Sequence, residues 1–276
     1  MTASTFVYDS DQARTPLVTE VRNLWAFRGL LKLLVVRDLT VRYKRSALGV
    51  WWTLLNPLLT MAVLWVVFSQ LFRFETPGVP FTVYLLSGML IVTFFGQGVA
   101  ATGAAMVNNA NVLSKVYVPA EVFAVSSGVA AAVNFVISLI PLFAIQLITG
   151  TGVPWSALLI PIPLVALTAF TLGVGLIIAA AAIYFYDVLD LTNVFIQLVS
   201  YLVPTFYPLS IVPERFVPLI KINPLYSFLQ VFRGFAYEGG FAPGWNFAYM
   251  AVSAVVMLAL GLWVFSRSWK NLVVLL

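Results

Sequence analysis

Long apolar segments separated by short polar ones dominate the pattern of hydrophobic and polar positions along this chain. No charged residue occurs between Arg45 and Arg73, and none occurs between Glu121 and Asp187. A helix needs about 20 apolar residues to cross the roughly 30 Å hydrocarbon core of a bilayer. The second segment is too long for one helix, and its turn-forming sequence TGTGVP at 149–154 divides it in two. The pattern therefore predicts an all-α polytopic membrane protein.

Six transmembrane helices account for the apolar segments within a transmembrane domain that covers residues 51–276. We place the six at about 51–72, 82–103, 122–148, 155–184, 187–203 and 245–265. The fifth ends before Pro204, because proline lacks the backbone N–H that a continuing helix needs. An even number of spans predicts that both termini lie on the same side of the membrane.

The N-terminal part, residues 22–50, is predicted to form an amphipathic interface helix followed by a basic segment, after a polar cytoplasmic tail at 1–21. Apolar residues recur at intervals of three and four, at Leu24, Phe27, Leu30, Leu31, Leu34 and Val35. Arg28 and Lys32 mark another face of the same helix. This pattern is typical of a helix that lies in the membrane interface, with a soluble docking helix as the alternative.

The segment between Pro204 and Pro243 is apolar but is interrupted by prolines at 208, 213, 218 and 224. We expect two short helices here, at about 213–222 and 225–236, joined at Asn223-Pro224. Apolar pieces of this length are more often re-entrant or interfacial than spanning. The prediction is a pair of short re-entrant or interfacial helices within 213–236.

Composition and charge narrow the class and orient the chain. Of its 276 residues, 62% are hydrophobic and 9% charged, with no cysteine and no histidine, so disulfides, thiolate metal sites and histidine catalysis are excluded. Eleven of the 15 Lys and Arg fall in segments that a cytoplasmic N-terminus would place inside. This bias predicts a multi-pass protein of the cytoplasmic membrane with both termini cytoplasmic. The net charge of +5 is better explained by lipid contact than by nucleic acid.

The sequence contains no feature that would let this chain use an ion gradient or ATP by itself. No charged residue falls in the central part of a predicted span, whereas ion-coupled transporters normally keep ionisable groups there. The chain also lacks a G-x-x-x-x-G-K-[ST] phosphate loop. A transport pathway of this kind needs a separate motor.

Two sets of side chains are candidates for contact with a transported molecule. A basic cluster could bind a lipid phosphate at the cytoplasmic entrance, since guanidinium groups suit phosphate oxygens, or could simply set the topology; it comprises Arg37, Arg42, Lys44 and Arg45. Most aromatic residues are explained by interfacial belts, but some could line a conduit and stack on sugars. The conduit candidates are Trp52, Phe94 and Phe95.

A resemblance is carried by the residues that introduce the first span. They are Arg37-Asp38-Leu39, Arg42-Tyr43-Lys44-Arg45-Ser46, Leu48-Gly49, Trp52 and Asn56-Pro57-Leu58. This string resembles the opening of the ABC-2 polysaccharide-export permeases, which move O-antigens, teichoic acids, capsules and related lipid-linked glycans. The resemblance implies a permease without a nucleotide site of its own, and therefore a transport subunit rather than an enzyme.

The resemblance also implies roles for two segments. Residues 108–121 would form a coupling loop against an ATPase, with a plain connecting loop as the alternative; its candidates are Asn108, Asn111, Lys115, Tyr117, Pro119 and Glu121. Ala120 stands where the family often has a basic residue, and Tyr186-Asp187 where it commonly has Arg-Asp. The resemblance further implies that the two short helices of 213–236 are re-entrant outer gate helices, with an ungated packed lid as the alternative; the gate candidates are Pro213, Asn223, Pro224, Phe232 and Arg233.

The function that this resemblance implies is export of a lipid-linked polysaccharide, carried on polyprenyl diphosphate, by a homodimer with two ATPase subunits that bind ATP and Mg. Similarity to the actinobacterial branch suggests cell-wall galactan as the cargo. Two alternatives stay open. One is an ABC-2 exporter of drugs or small lipids, and the other is a membrane-embedded transferase or phosphatase of polyprenyl lipids that would use Asp187 and Asp190.

Overall fold

A computed structural model describes residues 24–44, 46–71, 76, 78–113, 115, 118–185 and 187–275. Within these residues the regular structure is helical and no strand occurs, so the all-α prediction is confirmed. The helices are α1 (Arg28–Tyr43), α2 (Trp51–Trp65), α3 (Phe81–Asn108), α4 (Ala110–Leu113), α5 (Glu121–Ile148), α6 (Pro161–Ala182), α7 (Asp187–Tyr201), α8 (Val217–Ile222), α9 (Pro224–Arg233) and α10 (Gly244–Leu275). Wider π-helical turns continue α2 over Val66–Leu71 and α9 over Gly234–Glu238.

Five helical segments are long and apolar enough to cross a membrane, which makes this a multi-pass membrane protein. They are Trp51–Ser69, Phe81–Asn108, Glu121–Ile148, Trp155–Ala182 and Gly244–Ser268. The fifth span expected from the sequence corresponds to α7, which has 15 residues. At 1.5 Å per residue such a helix covers about 22 Å, less than the roughly 30 Å of hydrocarbon. Six spans therefore stay a prediction.

Several helices extend past the ends that the sequence pattern suggested. Helix α1 continues through the basic segment to Tyr43, and α10 continues to Leu275 instead of ending near Phe265. Lysine and arginine are good helix formers, so an isolated charge does not end a helix. Helix α3 reaches Asn108, which places the first residue of the predicted coupling loop inside a helix.

The amphipathic face predicted for the N-terminal helix packs against one end of the bundle, which we call the α1 end. Leu34 is buried there beside the start of α5 and the end of α6, and Leu24, Phe27, Leu30 and Leu31 pack around the same cluster. On the other side of α1, Leu33 and Val36 are exposed. A helix with one face on the bundle and another apolar face outward is suited to the membrane interface.

Helices α6 and α10 approach each other more closely than side chains would allow. A Cβ atom added to Gly261 would lie 2.7 Å from the Cα of Gly173 and would clash with the Gly173 carbonyl oxygen. A Cβ on Gly173 would meet the backbone of Met257 and Leu258. Small residues permit such backbone contact between membrane helices, where van der Waals packing is a main attractive force.

Helix α9 is buried inside the opposite end of the bundle, which we call the gate end. Its Phe228 ring packs 5.2 Å from Phe170 of α6, and its Phe232 ring lies edge-on to Phe135 of α5 at 5.7 Å. The side chains of both phenylalanines are almost fully buried. The two short helices expected in 213–236 are present as α8 and α9, and α9 belongs to the core of the bundle.

Candidate functional site

A groove with a polar lining runs between α2, α3 and α5. It consists of two cavities of about 410 and 520 Å³ that share Gln97, Ala131 and Asn134 as lining residues. The smaller cavity lies beside the middle of α3, and the larger one lies toward the α1 end, where Arg37 and Asp38 line it. We call the two cavities together the polar groove. Both volumes fall within the range of about 300–1,000 Å³ that is usual for ligand sites.

The smaller cavity combines neutral hydrogen-bonding groups with aromatic rings. Its polar side chains are Thr53, Asn56, Thr60, Thr93, Gln97, Asn134 and Ser138, and its rings are Trp52, Phe94 and Phe135. Among the residues that the structure describes, no charged side chain lines this cavity. The lining can therefore form hydrogen bonds within the membrane without the desolvation cost of a buried charge.

Helical periodicity brings these polar residues to one groove. Thr93, Gln97 and Ala101 follow one another at intervals of four along α3, and all three are exposed. Asn56 and Thr60 on α2, and Asn134 and Ser138 on α5, have the same spacing. Residues four apart lie on one face of a helix, so each helix presents a polar stripe to the groove.

The predicted conduit aromatics divide between the groove and the core. Trp52 and Phe94 line the polar groove, and the Phe94 ring lies edge-on to Phe135 at 5.4 Å. Phe95 is 1% exposed and stacks on Phe170 at 5.8 Å, on the side of α3 that packs against α6. Sequence reasoning missed the neutral polar residues of the groove, although their four-residue spacing could have revealed them.

The predicted basic cluster is only partly described. Arg37 pairs with Asp38 at 2.8 Å and donates a hydrogen bond from Nη1 to the Asn109 side chain at 3.1 Å. Asn109 in turn donates to the carbonyl of Ala105 at 2.8 Å, so Arg37 ties α1 to the end of α3. Lys44 is exposed, Arg42 belongs to α1, and Arg45 lies outside the described residues.

The predicted coupling segment contains a short helix and both exposed and buried candidates. Asn108, Asn111 and Lys115 are exposed near α4. Pro119 and Glu121 are buried, and Glu121 lies in the first turn of α5, where the helix dipole favours a carboxylate. Tyr117 lies outside the described residues. A partner at this end could therefore reach Asn111 and Lys115 directly, while Pro119 and Glu121 shape the segment from within.

The Asn-Pro pair of the predicted gate builds the start of α9. Asn223 Oδ1 accepts a hydrogen bond from the Leu225 N–H at 3.1 Å, and Pro224 occupies the first turn, where its missing N–H costs nothing. Asn223 Nδ2 donates to the Val199 carbonyl at 3.1 Å, which fixes α9 to α7. Pro213 is exposed and precedes the 3₁₀ turn Glu214–Phe216.

Arg233, at the end of α9, is the buried cation of the gate end. It is 2% exposed, and its guanidinium carbon lies 3.7 Å from the centre of the Tyr84 ring. Nε donates to the Ser87 hydroxyl at 3.2 Å and Nη2 to the Tyr84 carbonyl at 3.0 Å. Helix α9 is thereby fixed to the first two turns of α3.

Comparison with known proteins agrees with this architecture. The family model described as ABC-2 type transporter matches residues 29–237. The O-antigen export system permease protein RfbA of Myxococcus xanthus is 30% identical over 244 residues, which cover 88% of this chain and 93% of the relative. RfbA of Klebsiella pneumoniae is 27% identical over 89% of this chain and 94% of its own length. The polysialic acid transport protein KpsM of Escherichia coli is 21% identical over 84% of this chain and 90% of its own.

The family match begins within α1 and covers α2, α3, α5, α8 and α9. The resemblance seen in the residues that introduce the first span therefore extends over most of the chain. From these matches and the helical architecture, we conclude that the chain belongs to the ABC-2 type transporter family of membrane permeases.

Proposed function

We propose that this chain is the permease subunit of an ABC exporter that moves a lipid-linked polysaccharide, carried on polyprenyl diphosphate, across the cytoplasmic membrane. The observation that carries the proposal is the polar groove, whose smaller cavity is lined by neutral hydrogen-bonding groups and rings beside the middle of α3. The similarity to proteins named for O-antigen export and polysialic acid transport supports the same class of cargo. Cell-wall galactan is the cargo that we would test first.

A neutral lining suits a polymer that must slide. A hydrogen bond between neutral groups contributes about 0.5–1.5 kcal/mol, against about 1.5–3 kcal/mol when one partner is charged. A saccharide that exchanges one neutral hydrogen bond for the next therefore meets only shallow free-energy minima along the groove. The exposed ring of Trp52 offers a flat apolar surface to the carbon faces of the sugars.

We propose a homodimer because exposed polar groups on the spanning helices need something other than lipid beside them. Asn56, Thr60, Thr93 and Gln97 are exposed in the single chain, and they lie on segments that are long enough to span. A polar group in hydrocarbon is costly unless it faces protein or water. A second copy, facing α2 and α3, would enclose these residues in a hydrated path.

The proposed motor is a pair of separate ATPase subunits, which would bind ATP and Mg and contact the α1 end through α4 and Lys115. In this arrangement α7 is the fifth of six spans, both termini are cytoplasmic, and α8 and α9 are re-entrant helices of an outer gate. The basic cluster, in particular Lys44 and Arg42, would receive the diphosphate at the entrance. The bond from Arg37 to Asn109 would transmit motion of α1 to α3.

The test of this function is depletion of the protein, followed by labelling of sugars and sizing of lipid-extracted glycans. We expect full-length lipid-linked polymer to accumulate and to be inaccessible to reagents added outside the cell. Short or missing polymer would indicate a biosynthetic enzyme instead. Unchanged glycans together with new drug sensitivity would indicate an exporter of drugs or small lipids.

The groove itself can be tested by the substitution Ala101→Trp. Ala101 is exposed and lines the larger cavity, so an indole ring there should narrow the path without disturbing the core. We expect export to fall by roughly tenfold, which corresponds to an added barrier of about 1.4 kcal/mol, because the bulky indole would fill part of the cavity. The matched control is Ala251→Trp on α10, where the alanine is exposed away from the groove. Equal export by both variants at equal protein level would contradict the proposed path.

The motor contact can be tested by Lys115→Glu. Lys115 is exposed at the α1 end, and reversal of its charge should weaken capture of the ATPase by about two- to fivefold, the effect of an exposed ion pair worth up to about 1 kcal/mol. The measurement is the amount of ATPase that copurifies with the permease at low and high salt. Lys221→Glu, an exposed lysine at the gate end, is the control and should have no effect.

A further inference from the structure

A separate cavity opens at the gate end, outside the polar groove. It has a volume of about 490 Å³, is partly open, and lies between the start of α3, residues 204–210 and the end of α9. Its polar lining includes Tyr84, Ser210, Gln230, Arg233, Tyr237 and Glu238. None of these residues lines the polar groove. Tyr84 shares α3 with Thr93 and Gln97 of the groove, but it lies on the opposite face of that helix.

The wall of this cavity is held rigid by a network of contacts. Arg233 is fixed by hydrogen bonds to Ser87 and to the Tyr84 carbonyl and by the Tyr84 ring beneath it. The Tyr84 hydroxyl lies 2.9 Å from the carbonyl oxygens of both Pro204 and Tyr207, so it also holds the segment that forms the opposite wall. A site whose groups are already in place loses little entropy when a ligand binds.

The chemistry of the lining favours a neutral molecule with many hydroxyl groups. Arg233 and Tyr237 supply donors, Glu238 supplies acceptors, and Gln230 supplies both. A site for an anion would not include a carboxylate, and a site for a cation would not include a guanidinium. Burial raises the pKa of Tyr237 to about 12, so its hydroxyl keeps its proton at neutral pH. Tyrosine rings at the same site can contact the carbon face of a sugar ring.

We propose that this cavity is a saccharide-binding subsite at the outer face, which holds sugar units of the glycan as they leave the permease. Glu238 and Gln230 bind the hydroxyl groups, Arg233 and Tyr84 hold the wall in place, and Tyr237 contacts the sugar ring. The subsite rests on the proposed function, because it gives the exported polysaccharide a second contact beyond the polar groove. Its role is to keep exported sugar units from sliding back between cycles of ATP hydrolysis by the ATPase subunits.

The experiment uses the full-length protein in lipid nanodiscs and isothermal titration calorimetry. The probe is the short oligosaccharide fraction released by mild acid from the lipid-linked glycans of the same cells. We expect saturable binding by the wild type, and binding by Glu238→Gln that is about tenfold weaker, which corresponds to about 1.4 kcal/mol. Gln230→Ala should weaken binding in the same direction. Glu214→Gln replaces an exposed carboxylate at the gate end that does not line the cavity, and should bind like the wild type.

Several results would overturn the subsite. They are no binding by the wild type, wild-type affinity in Glu238→Gln, equal weakening in Glu214→Gln, and displacement of the probe by inorganic phosphate, which would indicate an anion site. Unchanged melting temperatures of the variants exclude misfolding as the cause of weaker binding. Absence of binding alongside polymer trapped by depletion would refute the subsite alone, whereas absence of trapped polymer would refute the export function.

Discussion

Replacing Gly261 with alanine is expected to destabilise the protein strongly, whereas the same substitution at Gly244 in the same helix should not. The new Cβ would lie 2.7 Å from the Cα of Gly173 and would clash with its carbonyl oxygen, so the backbones of α6 and α10 would have to separate. Overpacking of this kind costs about 1–3 kcal/mol, and more where backbone must move. For soluble domains of 150–250 residues, 1 kcal/mol corresponds to roughly 2–4 °C. We therefore expect a lower melting temperature in detergent by several degrees.

The control for this prediction lies in the same helix. A Cβ atom added to Gly244 would meet nothing within 4 Å, so Gly244→Ala should leave the melting temperature unchanged or raise it slightly. Gly173→Ala should behave like Gly261→Ala, because its Cβ would lie 2.6 Å from the backbone nitrogen of Leu258. Equal stability of the Gly261 and Gly244 variants would show that the two helices do not pack as closely as described.

Replacing Arg233 with methionine is the second change with a large expected effect. The substitution keeps an unbranched apolar stem but removes the guanidinium and its donors, which leaves the Ser87 hydroxyl and the Tyr84 carbonyl without that partner in a buried site. Each such loss costs about 1–3 kcal/mol, and the stacking on Tyr84 adds about 0.5–2 kcal/mol. We expect a marked loss of folded protein in the membrane, measured by fluorescence-detected size exclusion.

Two further variants test whether the loss of stability is specific to the guanidinium of Arg233. Arg233→Lys keeps the charge, but a compact ammonium cannot form both hydrogen bonds and stack on the ring, so an intermediate loss is expected. Arg215→Met is the control at the same end of the bundle, where the arginine is exposed and its guanidinium lies 4.7 Å from the centre of the Phe216 ring. A surface change of this kind should stay within about 0.5 kcal/mol. Equal stability of the two methionine variants would contradict the structural role of Arg233.

Hydrophobicity, charge and proline predicted most of the helical architecture. The apolar segments gave the five long spans, and the turn at 149–154 correctly divided the longest of them. The helix ends were less predictable, because α1 and α10 continue through basic residues that the chain tolerates within a helix. The brevity of α7 follows from Pro204 at one end and the acidic residues at the other.

The candidate site was less predictable than the fold, for a physical reason. Charged and aromatic residues stand out in an apolar sequence, whereas the groove consists mainly of neutral amides and hydroxyls such as Gln97 and Asn134. Their four-residue spacing marks one polar face on each helix, but the site forms only where three helices bring these faces together. The role of Asn223-Pro224 was recoverable from the sequence, because Asn followed by Pro is a signal for a helix start. The contact of Arg233 with Tyr84 joins positions 149 apart and had no local signal.

The burial of α9 has a consequence for the order in which the chain is assembled. The helix packs between α3, α5 and α6, and its Ser227 hydroxyl lies 3.3 Å from the side-chain oxygen of Asn246 on α10. During synthesis α9 leaves the ribosome before α10, so its Ser227 hydroxyl waits for a partner that has not yet been made. We therefore expect a chain that ends before Trp245 to leave α9 incompletely packed. Biogenesis of this permease is complete only when its last helix is inserted.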